Sequence, residues 1–221
     1  MKAAKVRNSK TGNSENSTKE KMRAIEVRLH GRGGRGIVAA SVLLAKAFFR
    51  AGFMVQNSSF GEAEKKRAPV TACLHINQRG SDKAITGNNR NPDHILIQDR
   101  TLLQNADIAK GLNPGGWILI NAPESCTETE SFLGFTPAYI DASKIARAYD
   151  LGSSSHPEIS AAMIGAFTAL LGIPPFEKLM EAIEEEFADE ADKNIQAARE
   201  AFRNVRRPIL KSEKTSISSE A

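Results

Sequence analysis

A glycine-rich hexapeptide near the start of the chain has the residue types and spacing of a phosphate-binding loop. Its residues are Gly31, Arg32, Gly33, Gly34, Arg35 and Gly36. They satisfy the pattern G-x-G-x-x-G, in which glycines let the backbone approach an anion and the amides of the following helix favour negative charge. The two arginines add charge-assisted donors. The alternative is a tight strand-to-helix turn whose glycines serve only close packing.

A second basic group, Lys65-Lys66-Arg67, follows the next predicted strand. An NAD site requires an acidic residue about 20 positions after the glycine loop, to bind the ribose hydroxyls. Residues 56–59 are Gln, Asn, Ser and Ser, and the next acid is Glu62, which counts against NAD. The basic group is suited to a 2′-phosphate, a coenzyme A phosphate or an acidic partner surface, and a solvated loop is the alternative.

The chain offers no obvious catalytic apparatus, and we predict neither a catalytic residue nor a metal site. Its histidines are not spaced for metal ligation with each other or with cysteine, and they are His30, His75, His94 and His156. No G-x-S-x-G nucleophile motif is present. Cys73 lies within an apolar strand, where an inert buried thiol is expected. Asp99 ends a strand and is suited either to ligand binding or to capping the next helix.

Strands and helices alternate over most of the chain and must position these residues. Apolar patterns predict strands over 24–30, 53–60, 70–76, 94–99, 117–122 and 137–142. Helices are predicted over 37–52, 101–110, 143–152, 158–171, 176–187 and 193–205. This order predicts an α/β fold with a mostly parallel, Rossmann-like sheet, flanking helices and a helical C-terminal third.

The net charge of +4 is concentrated in the first residues of the 221-residue chain. Residues 1–23 contain seven Lys and Arg against two acids, whereas the remainder contains 23 basic and 24 acidic side chains. The folded part therefore lacks the basic excess of a nucleic-acid-binding domain. We predict a disordered basic tail over 1–22, an α/β domain over 23–207 and a disordered tail over 208–221.

Cysteine usage and hydropathy restrict the compartment and the cofactors. The two cysteines, Cys73 and Cys126, are 53 positions apart, so the chain has neither a disulfide framework nor a ligand set for an iron–sulfur cluster. No apolar run approaches the ~20 residues of a membrane span. We predict a cytoplasmic protein that contacts no membrane and no nucleic acid.

Three ordered motifs resemble the gamma subunit of 2-oxoacid:ferredoxin oxidoreductases, the pyruvate synthase family. GRGGRG, which opens the helix IVAASVLLAKAFFRAG, is similar to the family's GRGGQG and its following helix. Ser59-Phe60-Gly61 and Ala68-Pro69-Val70, with Lys65 and Lys66 between them, resemble SFGPERRGAPV. Residues 160–166, SAAMIGA, resemble NTAMLGA, and the final helices LMEAIEEEF and KNIQAAREAF resemble the family's closing segment. Together the likeness covers residues 24–205.

The chain departs from the family pattern at three places. It is one residue longer between Phe60-Gly61 and Ala68-Pro69, Arg67 stands where the family usually has glycine, and Ser160-Ala161 replaces Asn-Thr. These changes lie in the loops expected to contact a ligand or a partner, so the resemblance leaves the 2-oxoacid open.

The resemblance implies a role within a larger enzyme. Members of this family decarboxylate a 2-oxoacid on thiamine diphosphate, pass electrons through iron–sulfur clusters to ferredoxin and transfer the acyl group to coenzyme A. The gamma subunit binds neither thiamine diphosphate nor clusters and assembles with alpha, beta and delta subunits. Its coenzyme A contact is expected at the glycine loop, residues 31–36, and at Ser59, Phe60, Lys65 and Lys66.

Two other functions fit the same residues. The first is an independent NADP-binding oxidoreductase in which residues 65–67 contact the 2′-phosphate; the missing catalytic residue counts against it. The second is a non-enzymatic interaction module that docks a partner through its C-terminal helices.

Overall fold

The computed structural model describes residues 23–61, 65, 67–80, 91–104, 107–123 and 136–207. The predicted disordered tails, Lys66 and Cys126 lie outside these residues. The predicted domain boundaries therefore stay predictions.

Six strands form a sheet with the order β2-β3-β1-β4-β5-β6. They are β1 (Ile25–Arg32), β2 (Phe53–Gly61), β3 (Pro69–Gln78), β4 (His94–Ile97), β5 (Trp117–Asn121) and β6 (Thr136–Ile140). The β1–β4, β4–β5 and β5–β6 pairs are parallel. β3 is antiparallel to both β1 and β2, so among the strands that the structure describes in this sheet it alone runs in the reverse direction.

Five α-helices accompany the sheet in the described part of the chain. They are α1 (Ile37–Arg50), α2 (Ala142–Ala148), α3 (Ser160–Leu171), α4 (Phe176–Phe187) and α5 (Ala191–Asn204). A short hairpin of β7 (Gly152–Ser153) and β8 (His156–Pro157) joins α2 to α3. None of the described helices is long and apolar enough to span a bilayer.

The main core lies on one face of the sheet, where α1, α3, α4 and α5 contribute apolar side chains. α3 is buried on nearly all sides because its small residues allow close approach, and α5 packs directly against it at Gly165. A smaller cluster on the other face includes Ile95, Ile97, Ile118 and Ile120. β4 and β5 are thus covered on both faces, which explains their continuous apolar sequences.

The predicted fold class is confirmed, with two local differences. The predicted helix over 101–110 is wrong: a 3₁₀ helix spans Arg100–Gln104, and residues 107–110 form a turn. The Asp99 carboxylate accepts hydrogen bonds from the backbone N–H and the hydroxyl of Thr101, which favours a tight turn at this point. The helix predicted over 143–152 ends at Ala148, before the β7–β8 hairpin.

Candidate functional site

A cleft of about 460 Å³ lies where β1, β4, β5 and β6 end. Its lining comes from five separate chain segments and consists of Arg32, Arg35, Gln98, Asp99, Arg100, Asn121, Ala122, Pro123, Asp141, Ser143, Arg147, Ser155, Pro157 and Ile159. In open α/β sheets, ligands bind outside the carboxyl ends of the parallel strands. The cleft therefore occupies the expected position of a ligand site.

The glycine loop bends sharply between β1 and α1, and it requires glycine at its last position. Gly36 has φ +78°, in the left-handed region. A Cβ there would lie 2.6 Å from both Glu158 Oε1 and Ser160 Oγ. The Ser160 hydroxyl donates a hydrogen bond to the Gly36 carbonyl oxygen at 2.9 Å. The first residue of the SAAMIGA motif thus packs on the glycine loop.

The same loop is joined to the basic segment by backbone hydrogen bonds. The Gly33 N–H donates to the Ala68 carbonyl at 2.8 Å, and the Arg67 N–H donates to the Gly33 carbonyl at 3.1 Å. The structure therefore brings together two of the three motifs that were separated in the sequence, and Ser160 adds the third.

Arg32 fixes this junction to the end of β4. Its Nε donates to Asp99 Oδ2 at 2.7 Å and its Nη2 donates to Thr101 Oγ1 at 2.7 Å. Its Nη1 donates to the Arg67 carbonyl at 3.0 Å. Burial raises the pKa of Asp99, but the hydrogen bonds from Thr101 and Arg32 outweigh it and hold the pKa below its usual range. Arg32 is thus a structural tie as well as part of the cleft wall.

Arg35, from the glycine loop, and Arg147, from α2, both line the cleft. Both are exposed, and neither side chain has a hydrogen-bond or salt-bridge partner within the described ranges. Asp141 accepts a hydrogen bond from the Lys144 N–H and caps α2. Four arginines line the cleft against two aspartates, both of which are engaged, so the cleft favours an anion.

Two amide residues that the sequence reasoning missed complete the cleft. Asn121 Nδ2 lies 3.1 Å from the Gln98 carbonyl oxygen and from Ser143 Oγ, and its Oδ1 accepts from the Ala142 N–H. Asn121 therefore connects β4, β5 and α2. Gln98 is 4% exposed, and its carboxamide has no partner in the part of the chain that the structure describes. The sequence does contain one signal for these two cleft residues, which is that each is a polar residue at the end of an apolar strand.

Three further predicted contact residues, Ser59, Phe60 and Lys65, do not line the cleft. Ser59 and Phe60 are on the edge strand β2, which β3 separates from β1, and Phe60 is 60% exposed. Lys65 is exposed, and its carbonyl accepts a hydrogen bond from the Ala68 N–H. Lys66 is outside the described residues. The ligand contacts of all ten predicted residues stay predictions.

Arg67 adopts φ +68°, a left-handed conformation that costs a non-glycine residue about 1 kcal/mol. Glycine, which the family that the chain resembles usually has at this position, adopts a left-handed conformation without strain. We predict that Arg67→Gly raises the free energy of unfolding by roughly 0.5–1 kcal/mol. Urea denaturation measures this gain. Arg67→Ala is the control, since it removes the same side chain but retains the strain; an equal result for both variants would contradict the prediction.

His30, His75, His94 and Cys73 lie in strands of the six-stranded sheet, whereas His156 lies in the β7–β8 hairpin between the cleft residues Ser155 and Pro157. His75 Nδ1 is 3.4 Å from Glu26 Oε1, and His94 Nδ1 accepts from the Trp117 N–H. Cys73 is a buried thiol that forms no disulfide bond within the described residues. No group of three or more His, Cys, Asp or Glu side chains in the described ranges is placed to hold a metal ion.

Comparison with known proteins identifies the family. The profile of the pyruvate ferredoxin/flavodoxin oxidoreductase family matches residues 26–204. The chain belongs to this family. The gamma subunit common to the pyruvate and ketoisovalerate oxidoreductases of Thermococcus kodakarensis is 37% identical over 184 residues, which cover 80% of this chain and 95% of the relative.

Solved structures agree with this assignment. The pyruvate oxidoreductase subunit PORC of Thermotoga maritima superposes with a TM-score of 0.72 and 28% identity, covering 85% of this chain and all of that one. The 2-oxoglutarate:ferredoxin oxidoreductase of Magnetococcus marinus, solved with coenzyme A bound, shares the fold at TM-score 0.67 and 18% identity. The superposition covers 86% of this chain but only 33% of that protein. The resemblance is thus confirmed: the chain is a gamma subunit of a 2-oxoacid:ferredoxin oxidoreductase.

Proposed function

We propose that this gamma subunit completes the coenzyme A site of a complex whose thiamine diphosphate and iron–sulfur clusters are held by alpha, beta and delta subunits. The observation that carries the proposal is the joined unit of glycine loop, residues 67–68 and Ser160 beside a positively charged cleft. Coenzyme A carries several phosphate oxygens, which arginines bind well. The ferredoxin that accepts the electrons then docks on the cluster-bearing chains.

The residues of this chain act by binding and positioning. Arg35 and Lys65 are exposed beside the glycine loop and are placed to attract phosphate groups. Arg32 holds the loop against the end of β4 through its three hydrogen bonds. A fixed loop keeps the thioester-forming end of coenzyme A in register with the acyl group on the partner subunit.

We assign the choice of 2-oxoacid to the partner subunits. The Thermococcus kodakarensis relative is a gamma subunit common to pyruvate and ketoisovalerate oxidoreductases, so that protein serves two substrates. We propose pyruvate as the substrate, because the relatives are named for pyruvate oxidoreductases. We propose that the pyruvate site lies on the partner subunits and not on this chain. We propose that the complex is cytoplasmic, a reducing compartment in which the buried thiol of Cys73 stays reduced.

The experiment is reconstitution of the complex with and without this chain. We expect no pyruvate-dependent ferredoxin reduction by the chain alone, and full coenzyme A-dependent turnover when it is purified with its partner subunits. Turnover by the chain alone, or unchanged turnover by a complex that lacks it, would contradict the proposal.

Titration of the chain with NADPH by calorimetry tests the alternative of an independent oxidoreductase. We expect no binding at millimolar NADPH, because the second strand of the nucleotide pattern is not adjacent to β1. Tight binding would favour the alternative.

A further inference from the structure

We propose that the outer edge of β2, together with one side of α1, is an interface on which a second copy of this chain docks. The two β2 strands pair antiparallel about a two-fold axis at Asn57, so that the two sheets become one. The interface is separate from the cleft, and it gives Phe60 a role other than the coenzyme A contact expected from the sequence.

The large apolar side chains that are exposed in the described part of the chain all belong to two elements that pack on each other. Val38 is 39% and Phe49 58% exposed on α1, and Met54 is 41% and Phe60 60% exposed on β2. Concentration of exposed apolar groups in one area is typical of a protein interaction site.

The outer edge of β2 is open for strand pairing. β2 pairs with β3 on one side and with none of the described strands on the other. Its nine residues, FMVQNSSFG, include no charged residue and no proline. Exposed edge strands are normally protected by such residues, because their open N–H and C=O groups pair readily with another chain. The unprotected edge therefore favours a strand of another chain as its cover.

α1 extends the apolar surface beside this edge. Val38, Val42, Ala45 and Phe49 are spaced four, three and four residues apart, so they share one side of the helix. We call these four residues the apolar stripe. Each of them is exposed or half-buried, in contrast to the core-facing residues of α1.

The surface is electrically neutral, which favours an uncharged partner surface such as its own copy. Lys46 and Arg50 are the charged residues of α1, and both form ion pairs with glutamates of α4. Arg79 lies beyond the strand, with its guanidinium carbon 5.6 Å from the centroid of the Phe49 ring. No like charges therefore oppose each other where two β2 strands pair.

The order of side chains along β2 is self-complementary. Met54 lies three residues before Asn57 and Phe60 three residues after it, so an axis at Asn57 places Met54 of each copy opposite Phe60 of the other. Both side chains lie on the same face of the sheet, because residues an even number of positions apart share a face. Apolar pairs directly opposite each other stabilise antiparallel strands, and an isologous interface repeats the pair.

The same axis brings the two apolar stripes together. Asn57 Nδ2 donates a hydrogen bond to Ser41 Oγ at 3.1 Å, so the middle of α1 lies beside the axis. A two-fold axis perpendicular to the sheet keeps both α1 helices on one face of the joined sheet. Strand pairing and helix packing thus act in the same interface.

The test is the mass of the purified full chain by light scattering, with substitutions that probe the strand register. We expect a dimer of the 24.0 kDa chain at about 10 μM, a concentration at which a dimer with a Kd of about 1 μM is mostly assembled. Met54→Lys, and Met54→Lys with Phe60→Lys, are expected to raise the Kd about 100-fold, because the interface buries unpaired or like charges.

The opposite-sign double variant Met54→Lys/Phe60→Glu distinguishes this register from other contacts. Each lysine then opposes a glutamate of the other copy, and we expect the Kd to return to within about ten-fold of the parent value. Glu184→Lys is the control, since Glu184 is exposed on α4 outside the interface, and it is expected to remain dimeric. Thermal unfolding shows that each variant is folded.

A cysteine at the axis gives a second measurement that adds no charge. Asn57→Cys places the new thiol directly opposite its copy, whereas the thiols of Ser59→Cys are about 13 Å apart along the paired strands. We expect a disulfide-linked dimer on mild oxidation of Asn57→Cys and none for Ser59→Cys.

A monomeric parent chain at about 100 μM would overturn the proposal, since such a dimer is not significant for a complex. A dimer that persists in the same-sign double variant, or fails to recover in the folded opposite-sign variant, would show that the copies meet elsewhere. If the chain is monomeric and Met54→Lys prevents capture of its partner subunits, β2 docks one of those subunits, which also overturns it. Coenzyme A-dependent turnover of the reconstituted complex is measured separately, so failure of the dimer leaves the proposed function standing.

Discussion

Replacement of Gly165 by alanine is expected to lower the free energy of unfolding by about 2–4 kcal/mol. Gly165 lies in α3 where α5 crosses it. A Cβ at this position would lie 2.2 Å from the carbonyl oxygen of Ala198 and 2.7 Å from its Cα. Both contacts are to backbone, so the helices must separate to accommodate a single methyl group.

The sign of this effect distinguishes packing from helix propensity. In an uncrowded helix, glycine-to-alanine substitution stabilises by about 1 kcal/mol. The packing contact at Gly165 is expected to exceed and reverse that gain. Ala169→Gly, on the less buried side of the same helix, is the control and is expected to cost about 1 kcal/mol. Urea denaturation measures both variants, and stabilisation by Gly165→Ala would show that the helices have room to adjust.

The six strands of the sheet could be predicted because each has a clear apolar pattern. The strand order could not, because β3 inserts between β1 and β2 through pairings that depend on contacts far apart in sequence. The error over 101–110 has a local cause. The hydrogen bonds from Thr101 to Asp99 favour a tight turn, and an apolar pattern does not register them.

The site could be predicted only in part, for a similar reason. The glycine loop has a local signature, but its junction with residues 67–68 consists of backbone hydrogen bonds that only the folded chain shows. Gln98, Asn121 and Arg147 come from three different elements and share no motif, so only the folded chain shows that they line one cleft. Arg67 illustrates the converse case. Its left-handed conformation is one that glycine adopts without strain, and nothing in the local sequence of this chain required it.

Acidification from pH 7 to pH 5 is expected to lower the free energy of unfolding by about 2 kcal/mol through His30 alone. Burial, and secondarily the nearby charge of Arg28, lowers the pKa of His30 to about 4. Its Nδ1 is 3.3 Å from Thr71 Oγ1, and the Ile108 backbone opposes the downward shift of the pKa.

The unfolded chain therefore binds a proton on His30 below pH 6.5 that the folded chain does not bind until about pH 4, and stability falls across this window. His30→Gln removes this titration, so its unfolding free energy is expected to vary less between pH 7 and pH 5. Some dependence remains because burial also lowers the pKa of His94. His156→Gln is the control for the loss of an imidazole, since His156 is exposed and lies outside the core. Equal slopes for the parent chain and His30→Gln would show that His30 is protonated in the folded state above pH 5.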